Sequence, residues 1–228
     1  MKKKICILAV LLCLLPLTAC GKKNNINLAD RVIEKRENLF VAYDELYSAT
    51  LSTGTREQDY NLDGIVTESV PFGILTLTRT DLHPLANDTY SYIVTINEQQ
   101  YSGFLTKSNT DNSYSADIEA NTLGDETVNV KISFTGYTFD QTLTNISKDF
   151  QVDSSSALKL AEKELKTDIS NVLSNKNVSI EVVMKVLKDH SNQDLKNYYW
   201  YVGVVATTGE TFGILIDANN GNIIAKKV

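Results

Sequence analysis

The chain has 228 residues, 43% of them hydrophobic and 22% charged, which is the composition of a folded protein and not of a disordered one. This length suits one large domain or two small ones. The formal net charge is −6, and loss of Lys2, Lys3 and Lys4 with the N-terminal segment would take it to −9. An acidic body of this kind argues against a nucleic-acid partner and against electrostatic binding to anionic lipid.

Residues 1–19 have the pattern of a secretory signal peptide. The basic start MKKK precedes eleven apolar residues, ICILAVLLCLL, which as a helix span about 16 Å and cannot cross a bilayer core of about 30 Å. The following Leu17-Thr18-Ala19-Cys20 resembles the lipobox of bacterial lipoproteins, in which the cysteine is acylated and begins the mature chain. The resemblance implies a lipid anchor on Cys20 at the extracytoplasmic face of a bacterial membrane, with residues 20–27 as lipidated cysteine and polar tether.

The other two cysteines, Cys6 and Cys13, also lie in this N-terminal segment. The mature chain therefore has no cysteine for a disulfide or a thiolate zinc site, although it would face an oxidising compartment. The alternative interpretation is an ordinary signal peptide that happens to end near a cysteine.

Residues 28–51 have a helical pattern, and we expect a helix there. The apolar positions recur at spacings that keep them on one face, whereas the charged residues fall elsewhere on the helical wheel. These apolar-face residues are Val32, Leu39, Tyr43, Leu46 and Thr50.

Strand-like segments dominate residues 72–146. They are FGILTLTR, TYSYIVTI, YSGFLTK, YSADIEA, ETVNVKISF and YTFDQTLTNI, which are rich in Thr, Tyr, Ile and Val and are separated by Asn, Asp, Gly and Pro. Alternation of apolar and polar residues in TVNVKISF indicates a strand with one wet face. Residues 28–148 are therefore predicted to form a helix plus an antiparallel sheet, either a sandwich or a strongly curved meander.

The pattern becomes helical again after Asp153. An apolar stripe at spacings of three and four residues predicts a helix, with Asp153 or Ser154 as the N-cap. Its members are Leu158, Ala161, Leu165, Ile169 and Val172. The segments SIEVVMKVLK, NYYWYVGVVAT, TFGILID and NIIAKKV follow as strands, and the second should be an inner strand because it is apolar on both faces. Residues 149–228 are thus a second helix-plus-antiparallel-sheet unit, and the predicted fold class is α+β.

This C-terminal unit resembles the PepSY domain. The similarity consists of a helix of the form S-x-x-x-A-L-x-x-A, a tyrosine-rich strand, a glycine turn, an aromatic-led strand and D-x-x-x-G-x-I. The matching positions are Ala157, Leu158, Ala161, Tyr199, Tyr201, Gly209, Phe212, Asp217, Gly221 and Ile223. The resemblance implies an extracytoplasmic, non-catalytic module that regulates peptidases or cell-wall enzymes. Residues 28–148 resemble no family that we recognise.

Two loops are candidate cation sites. DYNLDGIVTESV, residues 59–70, begins like an EF-hand loop with Asp59, Asn61 and Asp63, but Val70 stands where the bidentate glutamate is required. An Asx-rich turn is the preferred interpretation. DANNGN, residues 217–222, is better explained as a hairpin turn. We therefore expect no metal and no cofactor apart from the covalent lipid on Cys20.

A catalytic constellation is not evident in the sequence. His83 precedes a proline and His190 lies in a polar segment, and neither histidine has the spacing of a metal ligand. The sequence contains no G-x-S-x-G nucleophile elbow and no glycine-rich phosphate loop. Tyr198 and Trp200 belong to an aromatic run that a doubly buried strand explains, but they are the partner-binding candidates if one face of that strand is open. We expect a protein that is not an enzyme.

The sequence therefore predicts a lipid-anchored extracytoplasmic lipoprotein that binds or regulates a secreted peptidase or a cell-wall hydrolase. The second hypothesis is an envelope protein that binds a ligand or solute in a pocket of the N-terminal β-rich domain. An enzyme is the least supported option, because it would need an acid/base pair that the sequence does not show.

Overall fold

A computed structural model describes residues 27–81, 83–109, 111–119, 128–188 and 197–228. One α-helix, α1 (Ser154–Val172), lies among these described residues together with two short 3₁₀ turns, Leu28–Arg31 and Ser147–Asp149. The strands are β1 (Val32–Tyr43), β2 (Tyr47–Glu57), β3 (Ser69–Arg79), β4 (Tyr90–Ile96), β5 (Gln99–Lys107), β6 (Tyr114–Ile118), β7 (Val128–Phe134), β8 (Tyr137–Asn145), β9 (Ile180–Lys188), β10 (Tyr198–Ala206), β11 (Thr211–Asp217) and β12 (Ile223–Lys227).

The first eight strands form a closed antiparallel barrel. Their order is β1-β2-β3-β6-β5-β4-β7-β8, and β8 returns to β1 through the pairs Phe40↔Asn145 and Val41↔Thr144. The closure is short, because only the last two residues of β8 take part in it. The interior is filled by apolar and aromatic side chains, among them Phe40, Tyr90 and Phe139.

The remaining strands extend the sheet from β1 in the order β12-β11-β10-β9-β1. The pairing of β9 with β1 is parallel, and that of β9 with β10, β10 with β11 and β11 with β12 is antiparallel. Strand β1 is long enough to serve both parts, because its first residues pair with β9 and its last with β8. We call β9–β12 with the start of β1 the C-terminal sheet.

Helix α1 packs on one face of the C-terminal sheet. Asp153 caps the helix, because its carboxylate accepts a hydrogen bond of 2.7 Å from the Ser156 N–H. The apolar stripe of the helix is buried against alternate residues of β9, β10 and β11 and against Leu28 and Leu39. The helix predicted after Asp153 is confirmed.

The predicted α+β class, with a helix in each half, is wrong. Residues 28–51 form a 3₁₀ turn, β1 and the first part of β2, and not a helix. The protein is mostly β, an eight-stranded closed antiparallel barrel with additional strands and one helix among the described residues. The expected sandwich or meander is instead a closed barrel.

The predicted strands after residue 70 are confirmed at their positions. The buried-exposed alternation of β7 matches the predicted wet face, and β10 is an inner strand between β9 and β11. The segment DANNGN forms the turn between β11 and β12. There the Gly221 N–H donates to the Asp217 carbonyl at 2.9 Å, and Gly221 has a φ of +75°, which glycine adopts without strain.

Candidate functional site

The face of the C-terminal sheet that points away from α1 carries tyrosines and a lysine. Lys185, Tyr201 and Leu215 lie side by side on β9, β10 and β11, because each is opposite the next in the strand register. Leu187, Tyr199 and Asp217 form the next row, and all six are half-buried. We call these six residues the tyrosine face.

Two glycines create the space that the Tyr201 ring occupies. A Cβ atom on Gly203 would lie 2.7 Å from the Tyr201 hydroxyl oxygen, and one on Gly213 would lie 3.4 Å from the ring. The ring therefore lies flat over both glycines, along the sheet, instead of projecting into solvent. This arrangement fixes the position of a polar hydroxyl and a π surface on the tyrosine face.

A charged cluster borders the tyrosine face where β9 meets β1. The Arg36 Nε is 2.8 Å from the Glu34 carboxylate, and the Lys185 ammonium lies 5.7 Å from the centre of the Tyr201 ring. Burial, and then the nearby Arg36 charge, lower the pKa of Lys185, while the Glu34 carboxylate partly opposes them. Arg36 is thus paired with Glu34, and Lys185 lies beside this pair at the margin of an aromatic surface. Lys185 is the group of this cluster that could meet an anionic or carbonyl-rich partner.

The loop between β2 and β3, residues 58–68, covers the end of this sheet. Glu181 is 2% exposed and accepts a hydrogen bond from the Gly64 N–H. Gly64 has a φ of +84°, and a Cβ atom there would lie 2.6 Å from the Ser179 Cβ. Buried Glu57 likewise accepts from the Thr67 N–H, so two carboxylates hold the loop backbone.

The two predicted partner-binding residues lie on the helix side of β10. Trp200 is 2% exposed, and its indole N–H donates to the Val152 carbonyl at 2.7 Å. Tyr198 is half-buried, with its ring centre 5.6 Å from that of Phe150. Tyr199 and Tyr201, which are also half-buried, lie on the opposite face of β10, away from α1. Strict alternation along YYWYVGVV is the signal that separates the two sets.

The weak cation candidates Asp59, Asn61 and Asp63 are exposed in the loop of residues 58–68. The Asp63 carboxylate accepts from the Ile65 N–H at 2.9 Å, which is an Asx turn. Asp217 makes the same kind of bond to the Asn219 N–H, at 2.7 Å. Within the described ranges, no three His, Cys, Asp or Glu side chains are grouped so that they could hold a metal ion.

Two residues singled out in the sequence, Cys20 and His190, lie outside the described residues. His83 is in an exposed loop after β3, where its backbone N–H donates to the Asp81 carboxylate at 3.1 Å. In the part of the chain that the structure describes, no helix is both long and apolar enough to cross a membrane.

A shallow open groove of about 440 Å³ lies on the outer surface of the barrel, across β4, β5 and β7. Exposed Ile93 and Phe104 form its apolar part. The polar part consists of Ser91, Ser102, Lys131 and Ser133. A few polar groups beside an apolar surface are a common composition for a small-ligand site.

Comparisons with known proteins return no matching family, no matching curated protein and no matching solved structure. The similarity of residues 149–228 to the PepSY domain therefore stays a prediction from the residues that carry it.

Proposed function

We propose that this chain is a membrane-anchored extracytoplasmic lipoprotein that acts as a non-catalytic binding or regulatory module. Its target would be a secreted peptidase or a cell-wall hydrolase. The observation that carries the anchor is the sequence Leu17-Thr18-Ala19-Cys20 at the end of an apolar run that is too short to span a bilayer. The tyrosine face supports the binding role, since tyrosines are enriched where proteins contact their partners.

The anchor is tested by replacing its cysteine. Wild-type chain expressed in a bacterial host should be recovered in the membrane fraction, with a mass that includes acyl chains on the first mature residue. Cys20→Ser should lose the acyl mass and the membrane recovery, whereas the control Cys13→Ser should behave as wild type. A Cys20→Ser chain that stays in the membrane fraction would refute the anchor.

The regulatory role is tested with the full lipidated chain in detergent, added to envelope extract. The wild type should retain a peptidase or a wall hydrolase and change its activity. Tyr199→Ala with Tyr201→Ala should abolish both effects, and Tyr43→Ala, which removes an exposed tyrosine elsewhere, should not. Recovery of no such enzyme, with no change in activity, would contradict the proposal.

The second candidate is a ligand-binding envelope protein, and the groove beside Phe104 is the observation that favours it. A library of small envelope metabolites should then yield a ligand whose affinity falls when Phe104→Ala opens the apolar wall. Loss of affinity on Tyr201→Ala alone would instead place the ligand on the tyrosine face.

A further inference from the structure

The loop of residues 58–68 exposes four large apolar side chains within seven consecutive residues. Tyr60, Leu62, Ile65 and Val66 are 45%, 56%, 63% and 36% exposed, respectively. Single exposed apolar residues are ordinary on protein surfaces, but a contiguous set of this kind marks a surface that contacts something apolar.

The exposure of these side chains is not the result of a loosely attached loop. The Glu181 carboxylate accepts from the Gly64 N–H, and the Glu57 carboxylate accepts from the Thr67 N–H. At the base of the loop, the Gln58 N–H donates to the Glu68 carbonyl at 3.0 Å. The backbone is therefore held at three places. Tyr60 has its hydroxyl bonded to Glu34, whereas Leu62, Ile65 and Val66 are the exposed aliphatic side chains of the loop.

The loop lies at the end of the sheet where β1 starts. Glu34, near the start of β1, is opposite Arg56, near the end of β2, so the loop begins beside the start of β1. Asn27 is five residues before Val32. The seven residue steps from Cys20 to Asn27 span at most about 25 Å when extended.

The exposed apolar side chains of one hairpin are less well placed for a surface reached by this tether. Tyr43 and Leu46 are exposed at the hairpin between β1 and β2, at the opposite end of β1. Eleven residue steps at about 3.3 Å each put Tyr43 about 36 Å along the strand from Val32. The tether therefore favours the loop of residues 58–68 over this hairpin as the part nearest to the membrane.

We propose that residues 58–68 dock into the interface of the lipid bilayer and set the orientation of the anchored protein. This inference rests on the lipid anchor at Cys20 that is proposed above. The loop contains Asp59, Asp63 and Glu68 but no lysine, arginine or histidine. Docking is therefore driven by burial of apolar side chains among uncharged headgroups and not by attraction to anionic lipid. The hairpin at Tyr43 then points away from the bilayer.

The absence of a free thiol in the mature chain makes the test specific, because the Cys20 sulfur is blocked by acylation. An environment-sensitive fluorophore is attached to the full lipidated chain at a single new cysteine, in four variants: Leu62→Cys, Ile65→Cys, Tyr43→Cys and Phe104→Cys. Each labelled chain is reconstituted into phosphatidylcholine vesicles. Labels at residues 62 and 65 should shift to the blue and be quenched by spin-labelled lipid. Labels at residues 43 and 104 should stay accessible to iodide.

A second measurement separates docking from a folding defect. Leu62→Asp in the Ile65→Cys background should reduce quenching by spin-labelled lipid about tenfold, with unchanged circular dichroism. Replacing most phosphatidylcholine by phosphatidylglycerol should also weaken quenching at residue 65, because acidic residues flank the apolar ones.

Three results would overturn the docking proposal. They are equal iodide access at all four labelled positions, lipid contact at residue 43 or 104 in place of 62 and 65, and shielding of residues 62 and 65 that requires another protein. The mass of the purified chain distinguishes these failures from failure of the anchor. If Cys20 carries no acyl group, the anchor is refuted. If Cys20 is acylated and the labels at residues 62 and 65 stay exposed to water, the docking is refuted and the anchor is not.

Discussion

Gly54 is the residue at which the sheet has no room for a side chain. A Cβ atom there would lie 1.8 Å from the Lys35 carbonyl oxygen, since the register of β1 against β2 shifts between Arg36 and Asn38. Gly54→Ala must therefore move backbone, and we expect it to lower the free energy of unfolding by about 3 kcal/mol. Urea denaturation followed by circular dichroism measures the loss.

Gly73→Ala is the matched control for this close approach. Gly73 also lies in a strand, but its added Cβ would meet the flexible Leu51 Cδ1 at 3.2 Å. We expect a cost of about 1 kcal/mol there, because a side-chain rotation relieves the contact. Equal urea midpoints for the two variants would show that the tight approach at Gly54 does not exist.

Trp200, the single tryptophan, reports on the helix-facing core. Its emission should be shifted to the blue and resist iodide, because the ring is buried. Trp200→Phe should cost about 1–3 kcal/mol, since it removes the indole N–H and leaves the Val152 carbonyl without that partner. Emission like that of free tryptophan in water would contradict the buried position.

At the scale of elements, the N-terminus of α1 should make stability depend on pH. Three hydrogen bonds hold the pKa of Asp153 below its usual 3.8. The donors are the Ser156 N–H, the Ser156 hydroxyl and the Ser155 hydroxyl. A carboxyl whose pKa is lower in the folded state contributes stability above its unfolded pKa, and this contribution disappears as the pH falls through the folded value. Asp153→Ala should therefore lower the thermal midpoint at neutral pH and lose this effect in acid.

Asp153→Asn is the control for the charge, because asparagine also caps helices well but does not titrate. Its thermal midpoint at neutral pH should lie close to that of the wild type. A midpoint difference between wild type and Asp153→Ala that is the same at neutral and at strongly acidic pH would refute the role of the carboxylate.

Strand β1 explains why the predicted N-terminal helix was wrong. Leu39 is buried in the core beneath α1, whereas the adjacent Phe40 is buried in the barrel. Neighbouring residues of β1 are buried on opposite faces, and the register shifts between Arg36 and Asn38. The apolar residues of β1 therefore do not alternate with polar ones, which is the pattern that indicates a strand. What remained was an apparent spacing of three and four residues, which is typical of a helix.

The other elements were predictable because each buries one recognisable set of side chains. In α1 the apolar stripe meets a single sheet face, so its period is intact. In β7 the buried residues alternate with exposed ones, as in any strand that has one wet face. Local pattern is therefore sufficient where an element contributes to one core.

For the whole molecule, sharing of β1 between the two cores predicts cooperative unfolding. Ile169→Ala, on the buried face of α1, should cost about 2–5 kcal/mol and lower the stability of the barrel as well. Trp200 emission reports the helix-side core, and pulsed thiol labelling of Val130→Cys reports the barrel interior. Both urea midpoints should coincide, and Ile169→Ala should shift them equally.

Separate transitions would contradict this coupling. If Ile169→Ala lowers the urea midpoint of Trp200 emission but leaves that of Val130→Cys labelling unchanged, the barrel and the C-terminal sheet unfold independently. In that case β1 would join the two parts without transmitting stability between them.

The sequence alone determined the positions of ten strands, the capped helix after Asp153 and the turn at Gly221, because each follows from local composition or from one apolar period. Only the tertiary structure decided the rest. Barrel closure joins Phe40 to Asn145, residues that are distant in the chain, and no local pattern encodes such a pair. The tyrosine face also depended on the fold, because Tyr199 and Trp200 are adjacent in the chain and differ only in which side α1 covers.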